Sequence, residues 1–166
     1  HSRIKQLLKI ITILSFCYAA GMAKLSNVRI ESFSDIASPR EVMKKVPVTK
    51  QAADTILKGR QALYDILDGK DDRKIVIVGP CSVHDDNVAL EYASKLNEVR
   101  KKVEDKMVII MRAYFEKPRT TVGWKGFVYD PRLDDTYSLK EGVVLARELL
   151  VKINEMGLPT GTEVLG

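Results

Sequence analysis

Hydrophobic and polar positions change period several times along the 166-residue chain, and each change predicts an element. Ala52, Ala53, Ile56, Leu57, Leu63, Ile66 and Leu67 recur at amphipathic-helix spacing, with Thr49 able to N-cap the helix and Gly69 at its exit. Asp71-Asp72-Arg73 leads into Ile75-Val76-Ile77-Val78, a β-branched run without polar alternation. Such a run predicts a strand buried on both faces, as in a parallel sheet. After a turn over residues 79–86 (GPCSVHDD) a second helix follows, with Ala89, Tyr92, Ala93, Leu96, Val99 and Val103 on one face. Val108-Ile109-Ile110-Met111 predicts the second buried strand. A third helix opens with a capping box, Ser138 and Glu141, and carries Val144, Leu145, Leu149, Ile153 and Met156 on its apolar side. Gly157 and Pro159 end it, and Thr162-Glu163-Val164-Leu165 is a last extended piece. Upstream, Val28-Arg29-Ile30 is a short strand candidate, with Ser38-Pro39 and Val46-Pro47 as breakers.

The order strand–helix–strand–helix–strand calls for parallel pairing through right-handed crossovers, the opening of both doubly wound sheets and (β/α)8 barrels. A complete barrel usually takes about 250 residues, so if the sheet belongs to a barrel, the predicted strands are only about the first three of eight.

Composition narrows the function. Apolar residues are 45% and charged residues 30%, as in ordinary globular domains. The net charge of +5 is uneven: residues 1–21 hold Arg3, Lys5 and Lys9 with no acid, leaving +2 for the rest. Nothing there forms the basic stripe of a nucleic-acid binder. Residues 10–23 (IITILSFCYAAGMA) are uncharged and mostly apolar after three bases, too short to span a bilayer. They have the shape of a signal peptide; the competing reading, which we adopt, makes Met22 the initiator and residues 1–21 upstream sequence outside the folded protein. We accordingly expect a cytoplasmic protein with no membrane partner, residues 22–70 as an N-terminal extension and helix, and residues 71–166 as the start of the sheet. Two cysteines, Cys17 and Cys81, cannot build a disulfide framework and suit a reducing compartment.

The chemistry concentrates after the strands. The 26 residues between Met111 and Ser138 match neither period and follow a strand's carboxyl end, where α/β folds place their sites. Arg112, Lys117, Arg119 and Lys125 lie within 14 residues, with Glu116 the one acid among them. Arg grips phosphate or carboxylate bidentately, Lys adds a mobile point charge, and Thr120 and Thr121 add hydroxyl donors. This set suits a small polyanionic substrate; alternatively it is a solvated loop whose bases pair with Asp130, Asp134 and Asp135. Cys81, at the first strand's end, is either a metal-ligating or nucleophilic thiolate or a buried inert thiol. His84 lies nearby, but no further Cys or His motif closes a zinc site. No Gly-rich nucleotide fingerprint occurs.

Residues 75–85 (IVIVGPCSVHD), followed by residues 110–126 (IMRAYFEKPRTTVGWKG), closely resemble the class I 3-deoxy-D-arabino-heptulosonate 7-phosphate (DAHP) synthases. The resemblance extends from about Val28 to Leu165 and includes the connector Gly69–Arg73. It implies a (β/α)8 barrel that condenses phosphoenolpyruvate with erythrose 4-phosphate, the first step of the shikimate pathway, using a divalent metal such as manganese or iron. By resemblance, Cys81 is a metal ligand, Arg112 and Lys117 contact phosphoenolpyruvate, and Lys117 also lies near the reacting aldehyde. Arg119 and Thr120 correspond to the erythrose 4-phosphate phosphate site, and Glu163 to an acid near the attacking water. The other family ligands, a His, a Glu and an Asp, come from later strands, so these residues alone are expected to be inactive and poorly folded. The resemblance further implies a homo-oligomer inhibited by an aromatic amino acid, with residues 28–46 in the associating segment. A sister synthase using arabinose 5-phosphate and a non-catalytic anion-binding remnant or regulatory subunit are the rival readings.

Overall fold

The computed structural model describes residues 35–117 and 122–163, and from Ile36 onward the chain forms one compact unit. The strand candidate at 28–30, and Cys17 with the whole leader, lie outside the described residues.

Helix α1 (Pro39–Lys45) begins where a breaker was expected. Ser38 is its N-cap: Glu41 N–H donates to Ser38 Oγ at 3.4 Å and Ser38 N–H to Glu41 Oε2 at 2.7 Å. Pro39 at the first helical position lacks only a donor that has no intrahelical partner anyway. Helix α2 (Lys50–Leu67) forms as expected, with Ala52 N–H donating to Thr49 Oγ1 at 3.3 Å, but Leu57 and Leu67 of its predicted apolar set are exposed. Strand β1 (Lys74–Val78) follows, then helix α3 (Asp86–Val103), capped by Asp85, which accepts Val88 N–H at 3.0 Å. Strand β2 (Met107–Arg112), helix α4 (Leu139–Glu155) and strand β3 (Thr160–Gly161) complete the described elements.

The strands form one parallel sheet in the order β1-β2-β3, with Ile75 opposite Val108 and Met111 opposite Thr160. One sheet face, with Val76, Ile109 and Met111, packs against Ala89 and Ala93 of α3 and Leu149 and Ile153 of α4. On the other face, Ile77 and Ile110 border a cleft shared with Ala52, Ile56 and Leu63 of α2. Strand β2 is buried from Val108 to Met111, as its run predicts. Strand β1 is not: Ile77 is 62% exposed and Val78 37%. It is an edge strand of the sheet among the described residues, and its Ile77 face borders the open cleft beside α2 rather than a closed helix layer.

Three further expectations are corrected. Tyr92 and Val99 of α3 are exposed, because the helix seam is centred on Ala89, Ala93 and Leu96 and includes Asn97, which donates to the Met156 carbonyl at 2.7 Å. The Ser138 capping box does not form; Arg132 takes the Glu141 carboxylate at 2.8 Å instead. Strand pairing of β3 starts at Thr160, two residues before the expected piece, because β2 has already ended at Arg112; residues 164–166 lie outside the described set.

Helix α4 approaches the β2–α4 connection so closely at Gly142 that an added Cβ would stand 2.0 Å from the Val128 carbonyl oxygen. Backbone cannot yield as a flexible side chain can. Gly142→Ala should therefore cost about 2–3 kcal/mol, at the upper end of ordinary overpacking, read as a lowered denaturation midpoint of the intact protein.

Entry to β1 is tied by a second local device. Arg73 Nη2 stands 2.7 Å from Asp71 Oδ2, and its Nη1 donates to the Glu104 carbonyl at 3.0 Å. The hydrogen bonds from Arg73 hold the Asp71 carboxyl below the usual carboxylate range. A depressed folded value means the pair stabilises fully above the unfolded carboxylate range and loses its contribution as pH falls through the folded value. Asp71→Asn should flatten that acid limb in a pH series of denaturation midpoints while changing neutral-pH stability little, since solvent screens this partly exposed pair.

Candidate active site

The carboxyl ends of β1 and β2 bring the two singled-out segments together. The turn after β1 lies against β2: a Cβ on Gly79 would sit 2.3 Å from the Arg112 carbonyl oxygen, so only glycine permits the approach. Arg112 returns the contact from its side chain, donating Nη2–H to the Gly79 carbonyl at 2.7 Å and Nε–H to the Pro80 carbonyl at 3.1 Å. Its guanidinium also lies 5.4 Å from the Tyr114 ring centroid. Two of its five donors are thus engaged, which fixes the plane while leaving capacity for an anion.

Cys81 is a free, exposed thiol, so the buried inert alternative is excluded. Lys117 reaches it: Nζ is 3.7 Å from Cys81 Sγ and 3.4 Å from Ser82 Oγ. The cation from the second segment and the sulfur from the first therefore share one spot. His84 is exposed, and among the described residues no group of three His, Cys, Asp or Glu side chains could hold a metal. Cys81 fits one position of a metal site and no more.

The long connection is not irregular at its base. Lys117 N–H donates to the Lys125 carbonyl at 2.8 Å and Val128 N–H to the Phe115 carbonyl at 3.2 Å, making a short antiparallel limb. Phe115 and Phe127 close it, ring centroids 6.1 Å apart. Arg119 and Thr120 fall in residues 118–121, outside the described set.

Asp130, Asp134 and Asp135 do not pair with Arg112 or Lys117. The Asp130 carboxylate accepts the N–H groups of Asp134 and Asp135, Asp134 accepts from Thr136, and Asp135 accepts the Tyr137 hydroxyl at 3.3 Å. Tyr137 is correspondingly held above its usual range, chiefly by the Asp135 charge.

Glu163 comes to the same end of the sheet. Its Oε1 accepts both Phe115 N–H and Glu116 N–H at 2.8 Å, and its Oε2 accepts the Thr162 hydroxyl at 2.9 Å. The sequence carries no signal for this clamp, since it joins positions about 47 residues apart.

Comparison with known proteins agrees with this arrangement. The model of the DAHP synthetase I family matches residues 45–166. The phospho-2-dehydro-3-deoxyheptonate aldolase of Haemophilus influenzae is 47% identical over 84% of this chain and 38% of its own length. The Phe-sensitive aldolase of Escherichia coli K12 is 45% identical over 84% of this chain and 40% of its own length. The aldolase of that name from Francisella tularensis, a solved structure, superposes with a TM-score of 0.78 at 46% identity, over 82% of this chain and 40% of its own. The chain thus spans about 40% of the length of these relatives. The match runs through both segments that meet at Cys81 and Lys117, and the chain belongs to the DAHP synthetase I family.

Proposed function

We propose that the intact protein carrying this chain joins phosphoenolpyruvate to erythrose 4-phosphate, releasing phosphate, within a (β/α)8 barrel. The observation that carries the proposal is the meeting of Lys117 with Cys81 beside the anchored Arg112, at the carboxyl ends of adjacent parallel strands. Further support comes from the aldolase names of its relatives.

Arg112 holds phosphoenolpyruvate, its plane set by the Gly79 and Pro80 carbonyls. C3 of phosphoenolpyruvate attacks the aldehyde carbon, and Lys117 stabilises the aldehyde oxygen as it gains charge. Water then adds at C2, and phosphate leaves with cleavage of its C2–O bond. Arg119 and Thr120 take the erythrose 4-phosphate phosphate. Glu163 belongs to the surroundings of the water step, where its carboxylate holds the Phe115–Glu116 backbone. Cys81 supplies one thiolate to a divalent ion, manganese or iron, with the other ligands contributed by later segments. Such an ion, when bound, polarises the aldehyde.

Regulation by an aromatic amino acid, homo-oligomer formation and a cytoplasmic location complete the proposal. Relatives named Phe-sensitive and Trp-sensitive support the first. For location, no helix among the described residues is long and apolar enough to cross a membrane.

The test offers erythrose 4-phosphate and arabinose 5-phosphate in turn to the intact, metal-loaded protein and follows phosphate release. Turnover with erythrose 4-phosphate is expected. Preference for the arabinose ester, or no turnover with either, overturns the proposal. In the same protein Cys81→Ala should lower metal content and bring turnover to background, without moving the denaturation midpoint measured in the metal-free state, since the thiol is exposed. Unchanged metal content excludes Cys81 as a ligand.

A further inference from the structure

The β2–α4 connection has a second anchor that touches no proposed substrate. Asp130 is 1% exposed, an unusual position for a carboxylate. Its Oδ1 accepts Asp134 N–H and its Oδ2 accepts Asp135 N–H, each at 3.3 Å. Its backbone reaches both sides: Asp130 N–H donates to the Gly126 carbonyl at 3.0 Å, and its carbonyl accepts the Trp124 indole N–H at 2.9 Å and the Leu133 N–H at 3.4 Å. One residue therefore joins the turn that leads into α4 to the returning side of the antiparallel limb.

That turn is strained. Leu133, Asp135 and Tyr137 have φ of 58°, 60° and 50°, in the left-handed region that L side chains rarely adopt. Three such residues within five persist only where the surroundings hold them. Leu133 and Tyr137 are more than half exposed, so burial does not hold these two. The carboxylate of Asp130 is the buried group that grips the turn, while the limb it adjoins is bonded through the Lys125 carbonyl to Lys117 N–H.

We propose that Asp130 is a positioning residue for the proposed reaction: its carboxylate fixes the left-handed turn at 133–137, and the fixed turn keeps the Trp124–Gly126 limb, and with it Lys117, at the site. The inference rests on the reading of Lys117 as a substrate contact. It differs from a general stabilising role because the strain is local and glycine can relieve it.

The experiment uses the intact protein. Asp130→Asn keeps the shape but offers one carbonyl acceptor and turns an NH2 toward the other amide. Amide hydrogen exchange over residues 122–137 should quicken by about tenfold or more, the effect of losing one charge-assisted hydrogen bond. kcat should fall by about tenfold or more while KM for phosphoenolpyruvate stays within about threefold, the pattern of an interaction made in the transition state. Adding Leu133→Gly and Asp135→Gly should restore most of the kcat, because glycine takes positive φ without strain. Unchanged exchange over 122–137, an unchanged kcat, or no rescue by the glycines overturns the inference. Should Asp130→Asn fail to fold, Trp124→Phe removes the indole donor together with part of the ring; faster exchange over 122–126 then supports the inference and unchanged exchange there overturns it. Absence of turnover by the unsubstituted protein defeats the functional reading instead, and the exchange result still decides the positioning role.

Discussion

Replacing Lys117 with alanine in the intact protein is expected to lower kcat by about 10²–10³, corresponding to about 3–4 kcal/mol of lost transition-state stabilisation. The ammonium lies beside Cys81 and Ser82, where the aldehyde oxygen would gain negative charge during attack. It is only partly buried and makes no ion pair within 4 Å in the described structure, so its removal leaves no buried charge unpaired. The denaturation midpoint should accordingly stay within a degree or two of the parent, about what a ΔΔG below 0.5 kcal/mol produces. Lys117→Arg is expected to recover little, because a planar fork does not deliver a point charge to the same spot. Separate kcat and KM values for both substrates check this. A loss confined to KM would reassign Lys117 to holding the ground state, and a loss below tenfold would remove it from the proposed chemistry.

What was legible in the sequence follows from how local each determinant is. The helix α2 and strand β2 are set by their own apolar period and β-branched run, and Thr49 caps α2 three residues from its donor partner. The same locality made Ser138 and Glu141 look like a capping box, but Arg132, outside that window, takes the Glu141 carboxylate. Exposure of Ile77 depends on which neighbours a strand has, and no run of β-branched residues encodes that. The site divides in the same way. Cys81, Arg112 and Lys117 stand in residue runs specific enough to single out, and the described structure brings them together. Asp130 was read only as a partner for nearby bases, since its grip on Asp134 and Asp135 depends on a left-handed backbone that short-range pattern does not reveal.

Glu163 offers the sharper test of how the site is held together. One of its oxygens receives two backbone N–H groups, from Phe115 and Glu116, directly before Lys117. Glu163→Ala leaves both donors without a partner in a partly buried place, at about 1–3 kcal/mol for each group that water does not reach. The intact protein should lose about 2–4 kcal/mol of stability, and kcat/KM should fall by 10² or more, roughly what misplacing a catalytic group by an ångström costs. Glutamine keeps a carbonyl oxygen that accepts both N–H groups. If holding the backbone is the task, Glu163→Gln should keep the denaturation midpoint near that of the parent and retain kcat/KM within about tenfold, the difference between a charged and a neutral acceptor. If the carboxylate instead moves a proton in the water step, the same variant keeps its fold yet loses as much activity as alanine. The hydrogen bonds favour the first outcome: Oε1 already has two donors, and Oε2 receives the Thr162 hydroxyl. Measuring thermal unfolding and kcat/KM for both variants together separates the two tasks, because only the holding role ties activity to the midpoint.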